Sequence, residues 1–388
     1  MKKSLIALAA LGAFAGAASA QSSVTLFGIV DTGIRAVRND GVGTVKSLTN
    51  EGLSAGRLGF RGEEDLGGGL KAGFWLEGTV GVDSGAAGGG ALANGNGAST
   101  VAKFFNRRTT MSLMGPFGEV RLGRDYLPSF LNLAAFDAYG AVGLGSILNL
   151  SGPSGANFPS STLGSGGNLV RADNSVGYFL PANLGGLYGQ VMAAMGENTN
   201  TQNGNNGRYV GGRVGYAAGP FDVAAAYGTT RIPNNSDFRQ YNVGGSFNLG
   251  VAKLSALYHR AEYTPNVAGQ GQISQKMYGI GANVPLGQGE FRATFQQSRV
   301  NGGIVAGLGV VPPSSPFNGT GLVNGDDARQ YAVGYIYNLS KRTALYTDIA
   351  RLQNRNGSRL TIPGGNAFAA GTLGGTSTAV VAGVRHTF

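Results

Sequence analysis

The sequence predicts an all-β fold, a transmembrane antiparallel β-barrel. Three observations carry this expectation. Apolar and polar residues alternate through about sixteen segments of roughly ten residues, the length a tilted membrane strand needs. The connections between the segments are short and long in turn. The last segment, from Val380 to Phe388, alternates up to an aromatic final residue.

The first twenty residues stand apart. Lys2 and Lys3 precede an apolar stretch from Leu5 to Ala18, and Ala18-Ser19-Ala20 is an A-x-A cleavage site. The apolar run is too short to span a bilayer, so it reads as a secretory signal peptide. The expected organisation is a signal peptide over 1–20 and one outer-membrane barrel over 21–388, the mature chain beginning at Gln21.

Composition agrees. The chain has 388 residues, 69 of them glycine, and no cysteine, so neither disulfides nor thiolate metal sites are expected. Glycine shows no three-residue period, which excludes collagen. Only 13% of residues are charged, about half the usual share for a soluble protein. Mean hydropathy is −0.01, as expected if one face of each segment meets lipid and the other meets water. The formal charge is +10. The arginines are dispersed through alternating segments without a basic run, so nucleic acid is not an expected partner. Leu131 to Leu150 carries only Asp137 as a charge, but its glycines, serines and asparagines break any helical stripe. It reads as a loop folded against polar walls.

The strand segments begin near Val24, Leu53, Leu70, Phe104, Gly118, Arg171, Tyr188 and Arg208. The others begin near Phe221, Phe238, Ala252, Ser274, Glu290, Ala328, Arg342 and Ala379. From Arg171 to Leu180, Val176, Tyr178 and Leu180 share one face, and Arg171, Asp173 and Ser175 the other. An even strand number returns both termini to one side. Short turns fall at 65–69, 115–117, 181–186, 218–220, 248–251, 285–289 and 338–341. Long connections fall near 39–52, 82–101, 126–170, 198–207, 230–237, 264–273, 300–327 and 354–377. Periplasmic turns and extracellular loops differ in this way, and a soluble sandwich, with its open edges, does not. Phe388 is expected in the periplasmic aromatic girdle, its strand pairing with the first.

Several stretches together carry a family resemblance. They are Ser23 to Asp31 (SVTLFGIVD), Arg57 to Glu77 (RLGFRGEEDLGGGLKAGFWLE), Phe117 to Asp125 (FGEVRLGRD), Asn338 to Thr343 (NLSKRT) and the terminal Phe388. In these the chain resembles the trimeric general porins of β-proteobacteria, close to the anion-selective comamonad porin and the porins of Burkholderia and Bordetella. The resemblance spans the mature chain, strongest in strands and turns. It implies sixteen strands, a homotrimer, and a long third loop folded into the pore, which the connection at 126–170 would supply. It also implies a water-filled outer-membrane channel for ions and small hydrophilic solutes, anions above all, with outer-membrane lipid and lipopolysaccharide around it and no cofactor.

Parity turns Arg57 into the lumen, opposite in facing to Leu58 and Phe60, and turns Glu77 inward with Trp75. Arg171 faces inward by the alternation above. The resemblance places an arginine ladder at Arg57, Arg107 and Arg171, with acidic residues opposite, for which Glu77 and Asp137 are the candidates. Arg107 is in tension with parity: it shares its phase with Met111 and Leu113, so alternation turns Arg108 inward instead, unless a bulge or subunit contact shifts the count. Asp125 opens the third loop and is a candidate anchor. Each arginine has a plainer reading, a salt bridge bracing a loop to the wall.

Enzyme chemistry finds little support. His259 and His386 are far apart with no metal-ligand spacing, and no G-x-S-x-G elbow is present. The two functional classes left are a diffusive, anion-preferring porin and a surface-recognition barrel of the adhesin type. Both fit the loop pattern. Only the first uses lumen arginines.

Overall fold

The computed structural model describes residues 23–87, 103–151, 170–196, 207–232, 236–264, 272–302, 325, 327–369 and 372–388. The expected signal peptide lies outside these residues. The described strands are β1 (Ser23–Asn39), β2 (Gly43–Thr49), β3 (Arg57–Gly67), β4 (Leu70–Thr79), β5 (Arg108–Gly115) and β6 (Gly118–Tyr126). There follow β7 (Arg171–Phe179), β8 (Leu187–Ala194), β9 (Tyr209–Ala218), β10 (Phe221–Ile232), β11 (Ser236–Asn248) and β12 (Lys253–Thr264). The last five are β13 (Ile273–Leu286), β14 (Gly289–Gly302), β15 (Ala328–Asn338), β16 (Thr343–Asn354) and β17 (Thr376–Thr387).

All belong to one antiparallel sheet, and β17 pairs back onto β1, which closes it. Closure leaves no sheet edge unpaired, as a bilayer demands. The ladder runs to the end of the chain, where Phe388 and Gly28 exchange backbone hydrogen bonds of 3.0 and 3.1 Å.

Sixteen staves were expected, and sixteen are present. β2 and β3 both pair with β1, at residues 33–39 and 23–29, and are two lengths of one stave. Residues 50–56 interrupt it because Asp31 offers better partners than a ladder does. Its buried carboxylate accepts the backbone N–H groups of Gly52 (3.3 Å), Leu53 (2.9 Å) and Ser54 (2.6 Å), and the Tyr346 hydroxyl donates to it at 2.6 Å.

The outer face is apolar: Val176, Val191, Val214, Val243, Ile280, Val333 and Ile349 are all exposed, as lipid-facing positions should be. The packed core lies inside the barrel. There the third loop forms helix α1 (Pro128–Phe136), opened by proline in its first turn, and a 3₁₀ turn at Ile147–Leu150. The sequence showed no helical stripe here because α1 is enclosed on several sides and needs no polar face. Leu133, Phe136, Leu144, Ile147 and Leu150 are buried with wall residues Leu257, Met277, Ala332 and Leu352. Each leucine, isoleucine, methionine or phenylalanine among them contributes about 1.5–3 kcal/mol.

Wall carboxamides moor the loop backbone. Asn242 donates to Ser129 O (2.8 Å), Gln275 to Leu150 O (2.7 Å), Gln296 to Gly145 O (2.9 Å) and Gln330 to Ser146 O (3.0 Å). The loop tip passes close to the stave break at Gly143 (φ 76°), where a Cβ would lie 2.2 Å from Gly52 O.

Candidate functional site

The inner face of β3–β7 gathers the arginines. Arg57 opens β3 and donates from Nε to Ala55 O at 3.1 Å. Glu77, near the end of β4, is one hub of the cluster. Its carboxylate accepts Arg107 Nε at 2.6 Å, Trp75 Nε1 at 2.9 Å and Arg57 Nη1 at 3.5 Å. The Tyr126 hydroxyl is the other hub. It accepts Arg107 Nη2 at 3.0 Å and Arg171 Nη2 at 2.7 Å, and the Arg171 guanidinium lies 4.3 Å from the Tyr126 ring centroid. Arg57, Glu77, Arg107 and Arg171 thus form one connected cluster.

The tension between Arg107 and Arg108 resolves in favour of both. The strand expected to begin near Phe104 begins at Arg108. Arg107 precedes it in irregular backbone, where alternation does not apply, and its N–H donates to Glu77 O at 3.0 Å. Arg108 obeys the alternation: its guanidinium lies 4.5 Å from the Trp75 ring centroid, and its Nε donates to Thr110 Oγ1 at 3.0 Å. For Arg171 the parity argument was unsound although the residue joins the cluster. The β6–β7 register shifts between Gly123 and Asp125, and Asn174 sits at φ 54°, so the count of faces breaks there.

The two aspartates do other work. Asp125 is buried, accepts Arg121 Nη1 at 2.5 Å and the Tyr126 N–H at 2.8 Å, and lies 3.9 Å from Arg108. It braces the root of the third loop. Asp137 was expected to face the arginines across the pore, and it does not. Its carboxylate turns into the loop itself, accepting the N–H groups of Tyr139 (3.3 Å), Ala141 (3.0 Å) and Ile147 (3.1 Å), and the Gln296 side chain at 3.1 Å. Burial lifts its carboxyl to about 6, against the pull of these N–H donors and of Arg292.

Sequence reasoning missed part of the ladder. Arg61 lies over the rings of Phe27 (5.3 Å) and Trp75 (5.2 Å). Arg121 pairs with Glu119 and Asp125, and lies 4.0 Å from the Phe179 ring. Arg124 and Lys103 both pair with Asp173 but stand apart from the ladder, since the register sets Arg124 in the outward row of Phe60, Leu76 and Thr109. The signal was available for two of these, since Arg61 shares parity with Arg57 and Arg121 is out of phase with Leu122. Six guanidinium groups stand on the inner side of this wall, those of Arg57, Arg61, Arg107, Arg108, Arg121 and Arg171, with Arg57, Arg107, Arg108 and Arg121 paired to the three carboxylates Glu77, Glu119 and Asp125. The result is a positively charged face turned to water inside a closed barrel.

A family model described as Gram-negative porin matches residues 7–357. The chain is 38% identical to outer membrane porin protein 32 of Delftia acidovorans, all of each chain being covered. The chain belongs to the Gram-negative porin family. This porin is also 30% identical to an outer membrane porin protein of Bordetella pertussis, again over the whole of both chains. Among solved structures it is similar to the anion-selective porin from Comamonas acidovorans, with a TM-score of 0.76, 34% identity, and 95% of this chain and 100% of that one covered. A trimer form of OmpT from Vibrio cholerae shares the fold at 12% identity, with a TM-score of 0.60 over 95% of this porin and 99% of that chain. The porin is accordingly an outer-membrane channel and not an enzyme.

Proposed function

We propose that this porin is an anion-preferring diffusion channel whose constriction is lined by Arg57, Arg107 and Arg171, with Glu77 as the opposing carboxylate. The excess of guanidinium over carboxylate on the β3–β7 wall carries this reading. A charged wall of low dielectric focuses its field into the water beside it and raises the local concentration of the opposite ion. Pore water and salt screen that field over about 8 Å at physiological ionic strength. Preference should therefore be strong in dilute salt and weaken as salt rises. The relative from Comamonas acidovorans, described as anion-selective, supports the same sign.

A homotrimer is proposed with it, supported by the relative described in a trimer form. The first strands offer Gly28, Gly56, Gly59 and Gly62 as small residues that could permit close subunit approach, but the space beside each is filled within the chain, by the ring of Phe388, the carbonyl of Val80, and the rings of Phe27 and Phe74. A cleaved signal peptide over 1–20 rests on its charge, apolar run and cleavage site alone.

The test is the zero-current potential of single wild-type channels across a gradient of dilute potassium chloride. The expected sign is that of chloride preference. A potassium preference in dilute salt would overturn the proposal.

A further inference from the structure

On β11–β15 the residues that moor the third loop face inward, so their chain neighbours face the membrane. At the end of these strands nearest the long connections, those neighbours are basic: Arg239, Arg260, Lys276, Arg299 and Arg329. Three are in direct register. Arg260 on β12 stands opposite Lys276 on β13, which stands opposite Arg299 on β14. Like charges set directly across a sheet oppose pairing. Among the described residues only Glu262 answers them, by an ion pair with Arg260. Arg260 also lies 5.7 Å from the Tyr241 ring, its Nε buried without a partner. Lys276 and Arg299 form no ion pair among the described residues, and Arg299 is exposed.

The rows beside the trio fix its depth. The next outward-facing row toward the middle of the strands is Tyr258, Tyr278 and Gln297, the two rings 5.2 Å apart. Below it lie Ala256, Ile280 and Phe295, then Leu254, Ala282 and Ala293. Basic, aromatic and apolar rows in this order match headgroup, interface and hydrocarbon.

We propose that Arg260, Lys276 and Arg299 bind a phosphate group of an outer-leaflet lipid, whose acyl chains run along the apolar rows below. A phosphate meets the unanswered charge, since arginine forks bind its oxygens in pairs and lysine adds a third point of attraction. A lipid fits better than a soluble anion because the trio is continuous with a membrane-facing apolar strip. The inference gives a specific place to the outer-membrane reading and is independent of the channel's ion preference.

The test compares wild type with the Arg260→Gln/Lys276→Gln/Arg299→Gln variant in detergent, by native mass spectrometry. Both are titrated with lipid A bearing its two phosphates and with dephosphorylated lipid A. The phosphorylated lipid is expected to bind the triple variant about tenfold or more weakly, the loss of two charge-assisted contacts. The dephosphorylated lipid should bind both proteins alike, and Arg38→Gln, on the outer face of β1, should bind as wild type. If the triple variant does not fold, Lys276→Gln alone is expected to weaken binding about threefold. Equal binding of phosphorylated lipid to wild type and variant would overturn the proposal. So would displacement of that lipid by millimolar inorganic phosphate, which would mean the trio reads a bare anion.

Discussion

The wall formed by β3–β7 and the wall formed by β10–β15 use the same alternating strand, yet they turn most of their basic residues opposite ways. On the first, arginines face the lumen and Leu58, Phe60, Leu122 and Val176 face out. On the second, the lumen face carries neutral carboxamides, and Arg239, Arg260, Lys276, Arg299 and Arg329 face out. The difference follows from what each inner face touches. On the first wall the ion-paired guanidinium side chains are only 10–24% exposed, and carboxylates, a tyrosine hydroxyl and aromatic rings replace the hydration they lose. The third loop lies against the second, with backbone carbonyls that a neutral amide can satisfy without burying a charge. The exception beneath the loop is Arg292 on β14; Lys253 has inward parity only at the exposed turn end of β12. Asp348 neutralises Arg292 through two bonds of 3.0 and 2.7 Å, and Tyr139 lies 3.9 Å over it.

That exception gives the largest expected effect. Asp348→Ala leaves a buried guanidinium unpaired and should cost about 3–5 kcal/mol of stability, read as a lower urea midpoint in vesicles. An unchanged midpoint would mean that pore water reaches the pair and the second wall is wetter than its packing suggests. Next is the loop that keeps the two walls different. Asp137→Ala removes the acceptor shared by four buried donors, of which Gln296 keeps a second partner in Gly145 O, and the loss falls on the seating of the loop. The barrel should still close, but conductance should rise and become noisy as the loop leaves the second wall. Quiet channels of wild-type conductance would show that the carboxamides alone suffice. A smaller effect is expected on the first wall. Glu77→Gln removes the carboxylate shared by Arg57 and Arg107, and should raise the chloride-to-potassium ratio about twofold in dilute salt, the effect of one screened charge. A fall in that ratio would mean that Glu77 serves mainly to hold the arginines in place.

The smallest effect concerns pH. With its carboxyl lifted to about 6 in the seated loop, Asp137 favours seating fully below about pH 4 and loses that contribution as pH rises through about 6. Current noise should fall slightly from pH 7.5 to pH 5, and the difference should vanish in Asp137→Ala. Noise that grows on acidification would contradict this.

Most staves, the short turns and the inward facing of Arg57 and Glu77 were legible because a two-residue period and the turn residues are local signals, but the long connection expected at 39–52 is a short turn followed by β2 (Gly43–Thr49). The stave break at 50–56 was not, because it depends on Asp31 some twenty residues earlier and on Tyr346 near the other end of the chain. Arg107 was ambiguous because parity presumes a strand, and the strand starts one residue later. Asp137 was misread for a related reason. A lone acid in a loop looks like a pore charge until its N–H partners, two to ten residues onward, are seen to fold around it. The outward basic trio was written in the alternation, but its meaning appeared only with the register that sets Arg260, Lys276 and Arg299 side by side.

One measurement tests the division between the walls most directly: the zero-current potential in a dilute potassium chloride gradient, taken on two variants together. Arg57→Ala/Arg171→Ala should move it toward the cation side. Arg260→Gln/Lys276→Gln/Arg299→Gln, which removes one more positive charge from the chain, should leave it at the wild-type value. Equal shifts, or a shift only in the second, would show that ion preference follows total charge and not the wall on which the charge is turned to water.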